Sequence, residues 1–178
     1  MRRRITVTLV LGLVIALTMV WPSNALGQSS TRTPWAHLMD PAGQQIGFAR
    51  FYELRGGQVF ILVHATGLTP GQHGMHVHTT GACSPDFAAA GGHFNPTGSL
   101  HGSHAGDLGN LSANAAGRAT TIRFTQQFTL SAGQFSLFDA DGSALVIHAG
   151  EDDLVTDPTG NSGARIACGV IQPVESPN

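Results

Sequence analysis

The chain has 178 residues, enough for one domain with a substantial core, and 42% of them are hydrophobic, which excludes disorder throughout its length. Its 23 glycines exceed average usage, and the abundance of turn-forming residues favours an all-β fold. All nine cations are arginines and three of them are residues 2–4, so the remainder has a net charge of −5 and no basic stripe that would bind nucleic acid.

The N-terminus has the pattern of a secretory signal peptide. Arginines at 2–4 precede an apolar run over 5–20, and Ala25-Leu26-Gly27 follows as a small-residue cleavage motif. The run is shorter than the roughly 20 residues that span a bilayer, which favours cleavage after Gly27 over the alternative, a retained anchor. We therefore expect an exported protein, periplasmic or secreted, with no stable membrane insertion after cleavage and a polar lead-in at 28–33.

Alternating hydrophobicity and turn residues predict eight strands. They are predicted at 35–39, 46–54, 57–66, 72–80, 109–114, 118–128, 143–149 and 165–172. In the third strand, Val59 and its alternate neighbours form a core face. The opposite face carries Phe60 and Leu62 and is apolar enough to meet a partner subunit, although packing under a loop or scattered surface hydrophobics explain it as well.

Two aperiodic stretches, 81–106 and 150–164, interrupt this series of strands. Loops of this length within a compact domain are usually functional. The predicted domain covers residues 34–172, and 173–178 form a tail.

The only two cysteines are Cys83 and Cys168. An even number in an exported protein favours one intramolecular disulfide, which would stabilise the fold by roughly 4–5 kcal/mol for a loop of this length. Two buried free thiols are the alternative.

Nine histidines are many for a chain of this size, and most of them lie close together. His76 and His78 are two residues apart on a predicted strand, so both side chains project from one face and can converge on one metal ion. Taken alone, the same spacing also describes two surface histidines. His73 has the opposite parity, and we interpret it as a structural or supporting residue.

A second group combines three imidazoles with a carboxylate: His93, His101, His104 and Asp107. Three nitrogens and one oxygen form a closed tetrahedral ligand set that suits structural Zn²⁺. A flexible histidine-rich loop that binds adventitious metal is the alternative. His148 lies alone on a later predicted strand, and only the fold can bring it near His76 and His78.

Five motifs containing these residues follow one another along the chain. They are Gly-Gln-His-Gly-Met-His-Val-His (71–78), Gly-Gly-His-Phe-Asn-Pro (91–96), His-Ala-Gly-Asp-Leu-Gly-Asn (104–110), Leu-Val-Ile-His-Ala-Gly-Glu-Asp-Asp-Leu (145–154) and Gly-Asn-Ser-Gly-Ala-Arg-Ile-Ala-Cys-Gly-Val-Ile (160–171). In this order they resemble the copper–zinc superoxide dismutase family, and most closely its exported bacterial branch. The resemblance covers residues 58–171, and it implies an eight-stranded antiparallel Greek-key barrel or sandwich with two long functional loops.

The resemblance also implies one copper ion and one zinc ion per chain. The implied copper ligands are His76, His78, His93 and His148. The implied zinc ligands are His93, His101, His104 and Asp107, so that His93 bridges the two ions as an imidazolate. In the same family pattern, Asp152 links a copper ligand to a zinc ligand, Arg165 attracts the anionic substrate, Thr159 lies across the access channel, and Cys83 and Cys168 form the disulfide.

The implied activity is disproportionation of superoxide to O₂ and hydrogen peroxide, in which copper cycles between Cu(II) and Cu(I) and His93 delivers a proton to the product. A dismutase-like domain that binds or stores copper without turnover is the alternative. Family members are monomers or dimers, so a homodimer stays an open expectation. The chain departs from the family pattern at Met75, where Phe is common, and it has no lysine to steer the substrate.

Overall fold

The computed structural model describes residues 33–173, so the predicted signal peptide and most of the predicted lead-in and tail lie outside the described residues. Eight strands are present in this part of the chain: β1 (Trp35–Met39), β2 (Gln45–Glu53), β3 (Val59–Ala65), β4 (Gly71–His78), β5 (Asp107–Ala113), β6 (Ala119–Thr125), β7 (Ala144–His148) and β8 (Arg165–Val170). The all-β prediction is confirmed, with bounds that differ from the predicted ones by at most three residues.

All strands belong to one sheet in the order β5-β4-β7-β8-β1-β2-β3-β6, and every ladder is antiparallel. The neighbours β3 and β4 in sequence are far apart in this order, which is the crossover of a Greek key. Strands β5 and β6 lie side by side without a ladder, and Arg123 of β6 reaches across to the carbonyl oxygens of Leu108 and Asn110. The sheet therefore curls into the predicted barrel.

Strand periodicity places the core. In β3, Val59 and its alternate residues are fully buried, as predicted. In β4, Met75 and Val77 also lie inside the barrel, while His76 and His78 project from the opposite side of the strand. Complete burial of an apolar side chain of this size contributes roughly 1.5–3 kcal/mol, so the core fixes the register of β4 and with it the side on which both histidines stand.

Two long loops carry the motifs, 79–106 between β4 and β5 and 149–164 between β7 and β8. The first contains a short 3₁₀ helix, Phe87–Ala90, whose N-cap is Asp86. A third long loop, 126–143, is slightly longer than the interval 129–142 between the predicted strands, because the sixth strand ends at Thr125 rather than at 128. Phe128 continues the apolar pattern of β6, but it is buried as an anchor of this loop instead.

Within residues 33–173, no helix has the length and apolar character needed to cross a bilayer.

Candidate metal centre

The fold brings four histidines from three parts of the chain to one buried point. His76 and His78 project from β4, and β7, which pairs with β4, contributes His148. His93 lies in the loop 79–106 and forms an isolated bridge with His78. One nitrogen from each of these rings lies within 4.8 Å of the others, and all four residues are buried. We call these four residues the four-imidazole cluster.

In three of these rings, the nitrogen that faces away from the cluster is held by a hydrogen bond. His76 Nε2 donates to Asp152 Oδ2 at 2.8 Å, and His78 Nδ1 donates to the Gly91 carbonyl oxygen at 3.0 Å. His148 Nδ1 donates to the Gly163 carbonyl oxygen at 3.0 Å. Because a carboxylate or a carbonyl only accepts, these nitrogens carry the proton of the neutral ring, and the opposite nitrogen has a free lone pair.

The free nitrogens are buried and have no protein partner. They are His76 Nδ1, His78 Nε2, His93 Nε2 and His148 Nε2. A buried acceptor without a partner destabilises a fold by about 1–3 kcal/mol, so four in one place need a common ligand. Four converging imidazole lone pairs are a donor set for a transition-metal ion such as copper or zinc. The residues present therefore fit a metal ion at this point.

A second cluster lies beside the first and consists of His93, His101, His104 and Asp107. His93 Nδ1 lies 2.8 Å from Asp107 Oδ1 and 3.4 Å from His104 Nδ1, and His101 Nδ1 lies 3.5 Å from Asp107 Oδ2. Ligands about 2.0–2.1 Å from a tetrahedral ion lie about 3.3–3.4 Å apart, so the two longer spacings fit a metal ion, while the contact between His93 and Asp107 is a hydrogen bond. We call this group the three-imidazole cluster.

His93 belongs to both clusters because its two nitrogens point in opposite directions. Its Nδ1 faces Asp107, and its Nε2 faces the four-imidazole cluster without a protein partner. The ring also stacks on His76, with the centroids 3.9 Å apart. A single imidazole is therefore in a position to contact both metal sites.

Asp152 connects the two clusters from the other side. Its Oδ2 accepts from His76 Nε2 and its Oδ1 accepts from His101 Nε2, both at 2.8 Å. The carboxylate is completely buried, and the Asn110 side chain bonds the backbone of Asp152 at both its N–H and its carbonyl. Gly160, at φ +62°, packs so closely against this carboxylate that a Cβ there would collide with it. Asp152 thus fixes two rings that belong to different clusters.

Burial keeps His76, His78 and His148 neutral. Desolvation lowers the pKa of His76 to about 3 and that of His78 to about 2, and the neighbouring rings of the cluster act in the same direction. Desolvation lowers the pKa of His148 to about 4. At pH 7 these rings are unprotonated, which is the state that ligates a metal.

The carboxylate of Asp107 is held in the charged form. Burial alone would raise its pKa, but the hydrogen bond from His93 and the nearby rings of His101 and His104 lower it to about 2. The three-imidazole cluster therefore offers one negative charge to a cation.

Comparison with known proteins identifies the family. The family model described as copper/zinc superoxide dismutase matches residues 45–171. The chain belongs to this family. Copper and zinc are accordingly its cofactors, and the two histidine clusters provide sites for them.

Curated relatives of this superoxide dismutase family carry several names. Superoxide dismutase [Cu-Zn] 2 of Aquifex aeolicus is 42% identical over 77% of this chain and 85% of its own length. Superoxide dismutase-like protein YojM of Bacillus subtilis is 37% identical over 84% of the chain and 81% of its own length. The copper chaperone for superoxide dismutase of Rattus norvegicus is 40% identical over 75% of the chain, which spans about half (51%) of that protein.

The solved structure of a SOD-like protein from Bacillus subtilis superposes with a TM-score of 0.74 at 37% identity, covering 78% of this chain and 97% of that one. The clock protein EA4 superposes with a TM-score of 0.69 at 32% identity, over 79% of this chain and 93% of that one. The superoxide dismutase fold therefore occurs in proteins with more than one name.

The predicted disulfide is present. Cys83 in the loop 79–106 and the buried Cys168 of β8 are bonded, with their Cα atoms 5.8 Å apart. The alternative of two free thiols is therefore wrong. The bond fastens the loop that contributes His93 to the strand that begins with Arg165.

Arg165 stands beside the four-imidazole cluster, opposite His148 in the β7–β8 ladder. Its guanidinium donates to the Phe87 carbonyl oxygen at 2.5 Å and to the Gly91 carbonyl oxygen at 2.6 Å. Burial lowers the pKa of Arg165, and the charge of Asp86 partly opposes this, but an arginine stays protonated at neutral pH. A fixed positive charge therefore lies next to the cluster.

Thr159 and His73 lie outside the two clusters. The Thr159 carbonyl accepts from the backbone N–H and the hydroxyl of Ser162, and the predicted place of Thr159 in an access channel stays a prediction. His73 is buried between two carbonyl oxygens, with Nδ1 2.8 Å from that of His148 and Nε2 2.8 Å from that of Thr69. It supports the backbone of a cluster residue.

Asp157 is the residue that sequence reasoning missed. Its Oδ1 accepts from the His101 backbone N–H at 2.5 Å and lies 4.0 Å from His104 Nε2. It thereby ties the loop 149–164 to two members of the three-imidazole cluster. Only its position next to Pro158, in the Asp-Pro-Thr-Gly-Asn segment, set it apart in the sequence.

Proposed function

We propose that this protein is a superoxide dismutase, an enzyme that converts two superoxide anions and two protons to O₂ and hydrogen peroxide. The four-imidazole cluster would hold copper, and the three-imidazole cluster would hold zinc. The observation that carries the proposal is the convergence of four buried imidazole nitrogens without a protein partner, together with the place of His93 in both ligand sets. Copper supplies one-electron redox chemistry when it is bound, and zinc supplies fixed positive charge without changing its redox state.

Arg165 is the residue that would attract and hold the substrate. Residues 5–178 carry more carboxylates than arginines, so the distant electrostatic field opposes an anion. The guanidinium is partly buried beside His78 and His148, where a positive charge acts over a short distance in a medium of lower polarity than water. Its bonds to the carbonyls of Phe87 and Gly91 fix its orientation before substrate arrives.

His93 is the residue that would move a proton. Its Nε2 faces the four-imidazole cluster, while its Nδ1 is held by Asp107 of the three-imidazole cluster. No other ring of the four-imidazole cluster is shared in this way. A ring fixed at Nδ1 can carry a proton at Nε2 without turning away from the substrate. Asp152 would keep the two clusters at a constant separation, because it bonds one ring of each.

The test is a dismutation assay on the purified protein together with elemental analysis. We expect one copper and one zinc per chain after dialysis, and a dismutation rate that cyanide inhibits. His148→Ala should abolish turnover and leave zinc in place, whereas His101→Ala should release zinc. A wild-type protein that holds both metals in stoichiometric amounts but turns over no faster than the His148→Ala variant would reject the enzyme.

The second candidate is a domain that binds or passes on copper without turnover. It is favoured by one observation, namely that relatives named as a copper chaperone and as a superoxide dismutase-like protein match this chain as well as the named enzymes do. Against it stand the two complete ligand sets and Arg165, since a copper carrier needs neither a zinc site nor a charge directed at an anion. Transfer of copper to an acceptor protein at a rate that exceeds dismutation would favour this candidate.

We further propose that the protein is exported and that residues 1–27 are removed. The apolar run and the small residues before Gln28 support this, as does the disulfide, which persists in oxidising compartments. N-terminal sequencing of the protein from its native cells should begin at Gln28. A sequence that begins upstream of Ala25 would contradict the proposal.

A further inference from the structure

The short 3₁₀ helix Phe87–Ala90 is held in place by a small apolar cluster outside the core of the barrel. Phe87 and Ala90 of this helix pack with Val146 of β7 and with both cysteines of the disulfide. Ala90 and Val146 are completely buried. Because the disulfide also bonds this loop to β8, the helix has a fixed position relative to that strand.

The residue that precedes the helix is fixed with it. Asp86 is the N-cap, and the Ala88 backbone N–H donates to its Oδ1 at 2.9 Å. A carboxylate at this position satisfies a backbone donor that the first helical turn leaves without a partner. The residue itself is exposed. Asp86 therefore presents a negative charge to solvent at a defined place on the surface.

Arg165 lies close to this negative charge. Its guanidinium donates to the carbonyl oxygen of Phe87, the residue that follows Asp86. Asp86 and Arg165 also line the same open groove of about 720 Å³, which lies between the loop 79–106 and the turn that joins β1 to β2. Burial lowers the pKa of Arg165, and among the described residues Asp86 is the one whose charge opposes this shift. The carboxylate and the guanidinium therefore interact with each other at the groove.

A carboxylate beside a cation reduces the attraction that the cation exerts on anions. Because Asp86 is exposed, its charge acts largely through water, where a single charge changes the affinity for an anion a few ångströms further away by about twofold to threefold at low ionic strength. The hydrogen bonds that orient Arg165 come from carbonyl oxygens and not from this carboxylate. Asp86 thus weakens the attraction of Arg165 for anions without changing the orientation of the guanidinium.

We propose that Asp86 is a positioning residue that acts through Arg165, and that its carboxylate sets how strongly the metal centre attracts anions. The inference rests on the proposed function, because it concerns the residue that would hold the substrate. Other small anions compete with superoxide for the same guanidinium. A fixed carboxylate next to Arg165 limits their binding, at the cost of a weaker attraction for superoxide itself.

Azide binding to the protein loaded with copper and zinc tests the proposal. A titration followed by the visible absorption of copper gives the azide Kd without turnover, so the result stands whether or not the protein dismutates superoxide. Asp86→Asn removes the charge and retains the N-cap, because asparagine caps a helix as well as aspartate does. We expect the Kd to fall about twofold to threefold at low ionic strength. The difference from the wild type should disappear in about 1 M salt, where charges are screened within about 3 Å.

The matched control is Asp40→Asn, which removes the same charge from the other carboxylate that lines the groove. Asp40 Oδ1 accepts from two backbone N–H groups of its own turn, and an asparagine retains both bonds. We expect a smaller change in the azide Kd than in Asp86→Asn. An unchanged Kd in Asp86→Asn would overturn the proposal, and so would an equal fall in Asp40→Asn. A fall that persists in 1 M salt would show a structural displacement of the loop and would likewise overturn it.

Discussion

Arg165 and His78 are hydrogen-bonded to the same atom, the carbonyl oxygen of Gly91. Arg165 Nη2 donates to it at 2.6 Å and His78 Nδ1 at 3.0 Å. One peptide group in the disulfide-linked loop thus orients both the cation that would bind substrate and a ring of the four-imidazole cluster. A displacement of this loop would move both side chains together.

Arg165→Gln should separate substrate attraction from metal binding. Loss of the guanidinium charge removes the attraction for an anion while the four imidazoles stay in place, so we expect the dismutation rate to fall at least about tenfold. Copper and zinc content should be unchanged, and small anions should inhibit less strongly. Arg165→Lys retains the charge but not the paired bonds to Phe87 and Gly91. Its dismutation rate should lie between those of the wild type and Arg165→Gln. An undiminished rate in Arg165→Gln would contradict the role of this residue.

Ionic strength should have only a modest effect on the rate. The net charge of residues 5–178 is negative, so salt screens a distant repulsion as well as the local attraction by Arg165. The dismutation rate constant, measured at low and at physiological ionic strength, should change less than about threefold. A steep fall with added salt would mean that long-range steering dominates.

Asp152→Asn should weaken both clusters at once. An amide cannot accept two N–H bonds in the same way as a carboxylate, so the rings of His76 and His101 lose a fixed orientation. Changes of this kind around a metal site reduce affinity about 10–100-fold. Chelator competition should show this loss for both ions. Asp153→Asn is the control, because the neighbouring Asp153 is exposed and bonds only within its own loop.

Asp157→Asn should affect zinc alone. Its carboxylate contacts the His101 backbone and faces His104, and the structure places neither residue in the four-imidazole cluster. We expect a smaller effect than that of Asp152→Asn, about threefold to tenfold in zinc affinity, because Asp157 is half exposed. Chelator competition should be used to measure the zinc and the copper affinity of the variant in parallel. An equal loss of affinity for both ions would show that Asp157 acts on the whole centre.

The metal-free protein should lose stability as the pH falls from about 6.5 to 4. His76, His78 and His148 have lowered pKa values in the folded chain, so below pH 6.5 the unfolded chain binds protons that the folded chain does not. Well below pH 6.5, each histidine removes up to about 1.4 kcal/mol of unfolding free energy per pH unit, and the loss fades within about one pH unit above 6.5. Urea unfolding at a series of pH values measures it. A stability independent of pH between 6.5 and 4 would show that these rings are protonated in the fold.

Much of the fold and part of the centre could be predicted from the sequence because they follow from local periodicity. The spacing of His76 and His78 places both on one face of any strand, and the buried Met75 and Val77 fix which face it is. The approach of His148 to these two depends on the β4–β7 ladder, a pairing between distant segments. Without the family resemblance, periodicity alone would have left His148 as an isolated strand histidine.

The interactions that join distant loops could not be predicted in this way. The link from Asp157 to His101 and the use of Gly91 by two side chains depend on how two irregular loops fold onto each other. The start of the loop 126–143 was also predicted wrongly, because Phe128 has the same polarity in a strand as in a buried loop anchor. The hydrophobic pattern of a sequence predicts which residues are buried, but burial alone does not determine the backbone conformation.

The central claim is that His93 serves two adjacent metal sites. Anomalous diffraction at the copper and zinc absorption edges, from crystals grown with both ions, tests it most directly. We predict a copper peak within about 2.0–2.2 Å of the free nitrogens of His76, His78, His93 and His148, and a zinc peak at a similar distance from His93 Nδ1. A copper peak remote from His148, or a His93 ring that touches neither ion, would contradict the claim.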